Sequence, residues 1–229
     1  MEFLRRAAGR PSRLGVLAGA FHPPTRAHLA LARAALGLVD EVVFVLPRRF
    51  PHKRYEGVGL EDRLRLVLAA TDGEPRFSVA VSEGGLFIEI ARECREAYGP
   101  EVEIWFLCGR DAAERIVNWD YGEPGAFARQ LETYGLLVAP RGGPYEPPPE
   151  YRDRIRPLPL EGGYDEVSST AVRQAIRNGR PWEHLVPEAI VADVRRLYGM
   201  GGEQEGPTRS GAGASRLDGA APGGGPRRS

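Results

Sequence analysis

Lysine is almost absent from this chain. Of its 31 basic residues one, Lys53, is lysine and the rest are arginine. Such a bias follows genome composition and replaces lysine wherever charge alone matters. The survivor is either a chance leftover at an exposed site or a compact ammonium kept where a planar guanidinium would not fit against a phosphate. Cysteine is scarce as well. Cys94 and Cys108 have no paired metal-ligand spacing, and nothing near the N-terminus has the apolar core of a secretory signal, so a reduced, cytoplasmic protein is expected. Nor is there an excess of charge: 31 acidic residues balance the 31 basic ones. No global field therefore draws the chain to nucleic acid or an anionic membrane, and binding has to be argued locally. No apolar run approaches the ~18 residues of a membrane span.

What is present suits one well-buried α/β core. The chain has 229 residues, 42% of them hydrophobic. Short apolar runs alternate with helical periodicity. RLGVLA (13–18), EVVFVLP (41–47), FSVAVS (77–82), VEIWFLC (102–108) and YGLLVAPR (134–141) predict strands. Helices are expected from Thr25 through Leu36, over 60–71 with acids in the first turn, over 86–98, over 167–180 and over 187–199. The alternation predicts a Rossmann-like, doubly wound α/β fold: a mainly parallel sheet of five to six strands with helices on both faces. GGPYEPPPEYRDRIRPLPLEGG, after Arg141, predicts a long surface loop with a short extended piece near 155–160. Three segments follow: an N-terminal extension (1–12), the folded domain (13–199) and a Gly/Pro/Arg-rich tail (200–229) with too little apolar surface to order itself.

The chemistry is concentrated in GAFHPPTRAH, residues 19–28. It joins the first strand of that domain to its helix, where open parallel sheets bind ligands. Gly19 and Ala20 admit close approach of backbone N–H groups, the prolines stiffen the turn, and the next helix aims its first N–H groups at an anion. Thr25 and His28, three apart, share one face and can reach one phosphate. The plainer alternative is that His28 packs or caps and the prolines only shape a loop. Near the other end, VSSTAVRQAIRNGR (167–180) offers Ser168, Ser169 and Thr170 as N-caps and Gly179 as a stop.

GAFHPPTRAH resembles the (H/T)xGH signature, in the form GxFxPxTxxH, of the nucleotidylyltransferase superfamily, and VSSTAVR resembles its second signature, ISSTxxR. PHKR, LCGRD, Trp119, VAPR and LVPEAIVADVRRLYG are similar to segments of the nicotinate mononucleotide adenylyltransferase family. The resemblance spans roughly residues 13–199. It implies transfer of AMP from ATP to a pyridine mononucleotide, with pyrophosphate released and a dinucleotide formed. It places Gly19, Ala20, Phe21, Thr25 and His28 around the α- and β-phosphates. Ser169, Thr170 and Arg173 would hold the β- and γ-phosphates. Lys53 would draw the phosphates together, giving His28, Lys53 and Arg173 as the catalytic set. Gly109 and Asp111 resemble the GxD whose carboxylate meets the adenosine ribose, although Asp111 is equally expected to cap a helix. Trp119 either stacks on the pyridine of the acceptor or is an ordinary half-buried tryptophan. Mg²⁺ would bridge ATP oxygens with few protein ligands. The partners implied are ATP and a pyridine mononucleotide.

Three departures bear on the substrate. His22 replaces the usual Asp or Asn, Ala20 replaces Ser or Thr, and GGLFIEIA (84–91) lacks the family's threonine. They leave nicotinamide mononucleotide or another phosphate acceptor open. A nucleotide-binding sensor without turnover is a further alternative, though it should have lost phosphate-binding residues that are present here. His184 and the two cysteines are expected to be structural.

Overall fold

The computed structural model describes residues 1–49, 57–140, 142–160 and 162–199. Their centre is a seven-stranded sheet: β1 (Glu2–Arg5), β2 (Arg13–Ala18), β3 (Glu41–Pro47), β4 (Phe77–Ser82), β5 (Glu103–Gly109), β6 (Gly135–Ala139) and β7 (Ile155–Pro157). The order across the sheet is β1-β4-β3-β2-β5-β6-β7. All neighbours are parallel except β1, which runs antiparallel to β4 at the edge. The strand count exceeds the expected five to six. Residues 1–12 were expected to be an extension, but EFLR within them builds an edge strand, with Phe3 opposite Ala80.

Strand β3 accounts for both faces at once. Every one of its residues is buried, and they alternate sides: Val42, Phe44 and Leu46 enter one cluster, Val43 and Val45 the other. Burying each such side chain contributes about 1.5–3 kcal/mol. A strand buried on both faces reads as a continuous apolar run, as this one does. On the first face lie α1 (Arg26–Ala35) and α2 (Leu60–Ala70); on the second, α3 (Phe87–Tyr98), α4 (Arg110–Val117) and α5 (Ala126–Thr133). A third cluster joins the outer side of α2, through Leu66 and Ala70, to Val172 of α6 (Ser169–Arg177), to Val194 of α7 (Val191–Gly199) and to Ile190 in the short turn just before α7. No helix among the described residues is long and apolar enough to cross a membrane.

One glycine is required by close packing. A Cβ on Gly135 would stand 2.4 Å from the Trp105 ring and 2.9 Å from the Arg154 carbonyl. Trp105 can lie flat across β6 only because that position is bare, and Arg156 covers its ring at 4.6 Å.

The order of β2 between β3 and β5 positions the site. Chain connections leave β2 in one direction toward β3 and reach β5 in the other, so a crevice opens beyond the carboxyl ends of β2 and β5. Continuing the register Val16–Phe106 sets Gly19 level with Gly109.

Candidate active site

The turn after β2 is held in an uncommon shape. Phe21 has φ +46°, a left-handed conformation that costs a non-glycine residue about 1 kcal/mol or more. The His22–Pro23 peptide bond is cis. The Phe21 side chain anchors the turn: it is 2% exposed, with its ring 5.1 Å from His28 and 5.7 Å from Phe44.

Thr25 is the N-cap of α1 and His28 its third residue, and the two form a reciprocal box. The Thr25 N–H donates to His28 Nδ1 at 3.0 Å, and Thr25 Oγ1 lies 2.7 Å from the same nitrogen. With Nδ1 accepting, the ring proton resides on Nε2, which makes that nitrogen the donor. The two residues expected to share one face are thus also bonded to each other at the start of α1.

At the second signature the hydroxyls divide their work. Ser168 is the N-cap, its Oγ accepting from the Ala171 N–H at 3.1 Å. Ser169 Oγ donates to the Pro23 carbonyl at 2.7 Å, and Thr170 Oγ1 accepts from Arg173 at 3.3 Å. Arg173 also donates to the His22 carbonyl at 2.5 Å. Two segments 151 residues apart are thereby bonded into one site. The N–H groups that open α1 and α6 belong to helices with no acid in the first turn, whereas α2, α3 and α4 carry Glu61 and Asp62, Glu89, and Asp111 there. The α5 start lacks a first-turn acid too, so what sets α1 and α6 apart is that side chains of α6 bond the turn that leads into α1.

His22 is 7% exposed. Burial, then the charges of Arg173 and Arg63, lower its pKa to about 4, so its ring is neutral near pH 7. Tyr198 of α7 meets it edge-on at 5.1 Å.

Known proteins place the chain in a family. Residues 16–175 match the model of the cytidylyltransferase-like family. The chain is 31% identical over 204 residues to the probable nicotinate-nucleotide adenylyltransferase of Moorella thermoacetica, covering 81% of this chain and 90% of that protein. It is 31% identical to the protein of the same description from Thermus thermophilus, covering 80% and 97%. The chain belongs to the cytidylyltransferase-like family. It is a nucleotidyltransferase of the nicotinate-nucleotide adenylyltransferase kind. The fold is also that of Plasmodium falciparum nicotinic acid mononucleotide adenylyltransferase complexed with NaAD, with TM-score 0.61, 14% identity and 82% of this chain and 98% of that one covered.

The remaining expected residues are less concentrated. Gly109 ends β5 and is itself the N-cap of α4, so Asp111 is not a cap but stands exposed in the first turn. Trp119, two residues past α4, is 55% exposed rather than half-buried. It borders a cleft of about 340 Å³ with Tyr121, Phe127 and Tyr151. Lys53 lies outside the described residues, as does the tail. His184 offers its carbonyl to Arg26 at 3.5 Å, and both cysteines are buried and free, in line with structural roles.

The start of α3, where the sequence lacks hydroxyls, is filled from within. Glu89 Oε2 accepts from the N–H groups of Gly85 and Leu86 at 2.9 and 3.0 Å, and Glu93 Oε1 accepts from that of Gly84 at 3.1 Å. Two further residues escaped sequence reasoning. Tyr198 gave no local signal. Arg63 did: it shares a helical stripe with Leu60, Leu64 and Val67, a cation where an apolar residue is expected.

Proposed function

We propose that this enzyme transfers AMP from ATP to nicotinate mononucleotide in the cytoplasm, forming a pyridine dinucleotide for NAD biosynthesis. The observation that carries the proposal is the bonding of Arg173 and Ser169 to the His22 and Pro23 carbonyls, which brings the two signature helix starts to one place.

A phosphate oxygen of the mononucleotide attacks the α-phosphorus of ATP, and the bond from that phosphorus to the α–β bridging oxygen breaks. The electron pair leaves with pyrophosphate, and the attacking phosphate, already ionised, gives up no proton. Such a reaction calls for positioning and charge stabilisation more than covalent help. His28 Nε2–H is assigned to the α- and β-phosphate oxygens, with the backbone of Gly19, Ala20 and Phe21 beside it. Arg173 and the N–H groups of Ser169 and Thr170 are assigned to the β- and γ-phosphates, where charge grows as the bond breaks. Lys53 is assigned to draw the two nucleotides' phosphates together, Gly109 and Asp111 to the adenosine ribose, and Trp119 to the pyridine ring. The groups gathered around His28 are N–H donors and guanidinium cations, suited to phosphate oxygens rather than to a metal. Mg²⁺ is accordingly proposed to arrive with ATP, held by the triphosphate and neutralising it.

A second acceptor, nicotinamide mononucleotide, is favoured by one observation: the carboxylate of Glu89 already takes the N–H groups of Gly85 and Leu86, in the turn that leads into α3. ATP labelled in the α-phosphate tests the reaction. The label should pass into a dinucleotide with one or both mononucleotides, and label appearing only in free AMP would refute transfer.

A further inference from the structure

Arg63 lies on α2, outside both signatures, and is 6% exposed. A guanidinium keeps its charge at such depth, and its donors must be spent on acceptors. One of them goes to the Ala20 carbonyl at 2.8 Å, and Nε bonds the Gly59 carbonyl at 3.3 Å. Ala20 belongs to the turn after β2, two residues before the carbonyl that Arg173 holds. Alternate carbonyls of that turn are therefore gripped by two arginines from two helices.

The consequence follows from peptide geometry. In a planar trans peptide the C=O and N–H point in opposite directions. Holding the Ala20 oxygen on the α2 side therefore turns the Phe21 N–H to the other side. That N–H has no acceptor among the described residues, whereas backbone donors in folded proteins are normally satisfied. The buried Phe21 ring and its positive φ fix the same peptide from the following side.

We propose that Arg63 is a positioning residue of the phosphate cradle: it holds the Ala20 carbonyl, aims the Phe21 N–H at a phosphate oxygen of ATP, and places a buried positive charge behind the turn. This rests on the adenylyl-transfer reading. The ligand chemistry at the Phe21 N–H is a pyrophosphate-type anion, present both in ATP and in the product pyrophosphate.

The sequence provides a direct reporter. Ala-Phe occurs at two places, 20–21 and 126–127. Protein labelled with ¹³C-carbonyl alanine and ¹⁵N-phenylalanine therefore gives two correlated amide signals, the second an internal control within α5. Magnesium pyrophosphate should shift the Phe21 amide of the wild-type protein and leave Phe127 in place. In Arg63→Gln the Phe21 response should weaken, and kcat/KM for ATP should fall roughly tenfold to hundredfold, as for a lost hydrogen bond to a charged group. Affinity for nicotinate mononucleotide should hold within about twofold, and Phe127 should keep its position. Arg63→Lys, which keeps the charge and a donor able to reach the Ala20 carbonyl, should recover part of the loss.

Overturning results are equally specific. A wild-type Phe21 response and ATP kinetics in Arg63→Gln would remove the role. So would parallel losses of ATP and mononucleotide affinity with a displaced Phe127 signal in both variants, which would reduce Arg63 to a structural part. A wild-type protein that releases no pyrophosphate with either mononucleotide, yet loses the Phe21 response on Arg63→Gln, would refute the reaction and uphold the cradle.

Discussion

Arg173 donates to the carbonyl of His22, and through that bond a helix near residue 170 stabilises a turn near residue 22. The same guanidinium bonds Thr170 at its own helix start. One side chain thus ties together the two segments whose sequences carried the functional reading, and it brings a fixed positive charge to the place where both helices begin.

Arg173→Ala removes that charge and the bond to His22 together. Its kcat should fall by about 10²–10³, the scale of losing one oxyanion donor, with a smaller rise in the KM for ATP. Steady-state kinetics at saturating acceptor separate the two constants. A rise in KM with kcat unchanged would mean that the charge binds ATP without acting as pyrophosphate leaves.

Thr25 acts through His28. Thr25→Val keeps the shape but deletes the hydroxyl beside Nδ1, so kcat should fall roughly tenfold, while Thr25→Ser, which restores the oxygen, should stay near wild type. Equal activity of the valine and serine variants would show that the backbone N–H alone fixes the tautomer.

Trp119 is 55% exposed, so its truncation costs little stability. Trp119→Ala should raise the KM for the mononucleotide by about tenfold, a stacking loss of roughly 1 kcal/mol or more, and leave ATP affinity unchanged. Isothermal titration with each substrate alone decides this. A matching loss for ATP would refute contact with the pyridine.

His22 gives the fold a pH dependence. Its folded pKa, about 4, lies below the ordinary 6.5 because of burial and the charges of Arg173 and Arg63. Between those values the unfolded chain binds a proton that the folded chain refuses. Stability therefore is fully present above pH 6.5 and is lost as pH falls toward 4, by on the order of 2 kcal/mol. His22→Asn should lose less between pH 7 and pH 4.5 than the wild type in urea melts, and identical slopes would contradict the assignment.

The main elements were legible because their signals are local. Strand β3 announces itself as seven buried residues in a row, and α6 through Ser168 and Gly179. Both signatures were legible through their resemblance to those of the nucleotidylyltransferase superfamily; spacing alone left His28 as a possible cap. What could not be read depends on partners distant in sequence. EFLR is four residues of half-exposed pattern, a strand only because β4 lies beside it. The N-cap of α4 shifted from Asp111 to Gly109 because β5 runs into that helix without a connecting loop. Tyr198 reaches His22 only after α7 folds back across the outer side of α2. Arg63 stood in plain view as a cation on an apolar stripe, but the carbonyl it holds is 43 residues away.

The central claim, that the two bonded helix starts form one nucleotidyl-transfer site, is tested most directly by pyrophosphate release from ATP and Mg²⁺ with nicotinate mononucleotide, nicotinamide mononucleotide or no acceptor. The expected result is release that requires a pyridine mononucleotide, matches dinucleotide formed mole for mole, and disappears in Arg173→Ala. Release that ignores the acceptor, or none in a protein that still binds ATP, would contradict it.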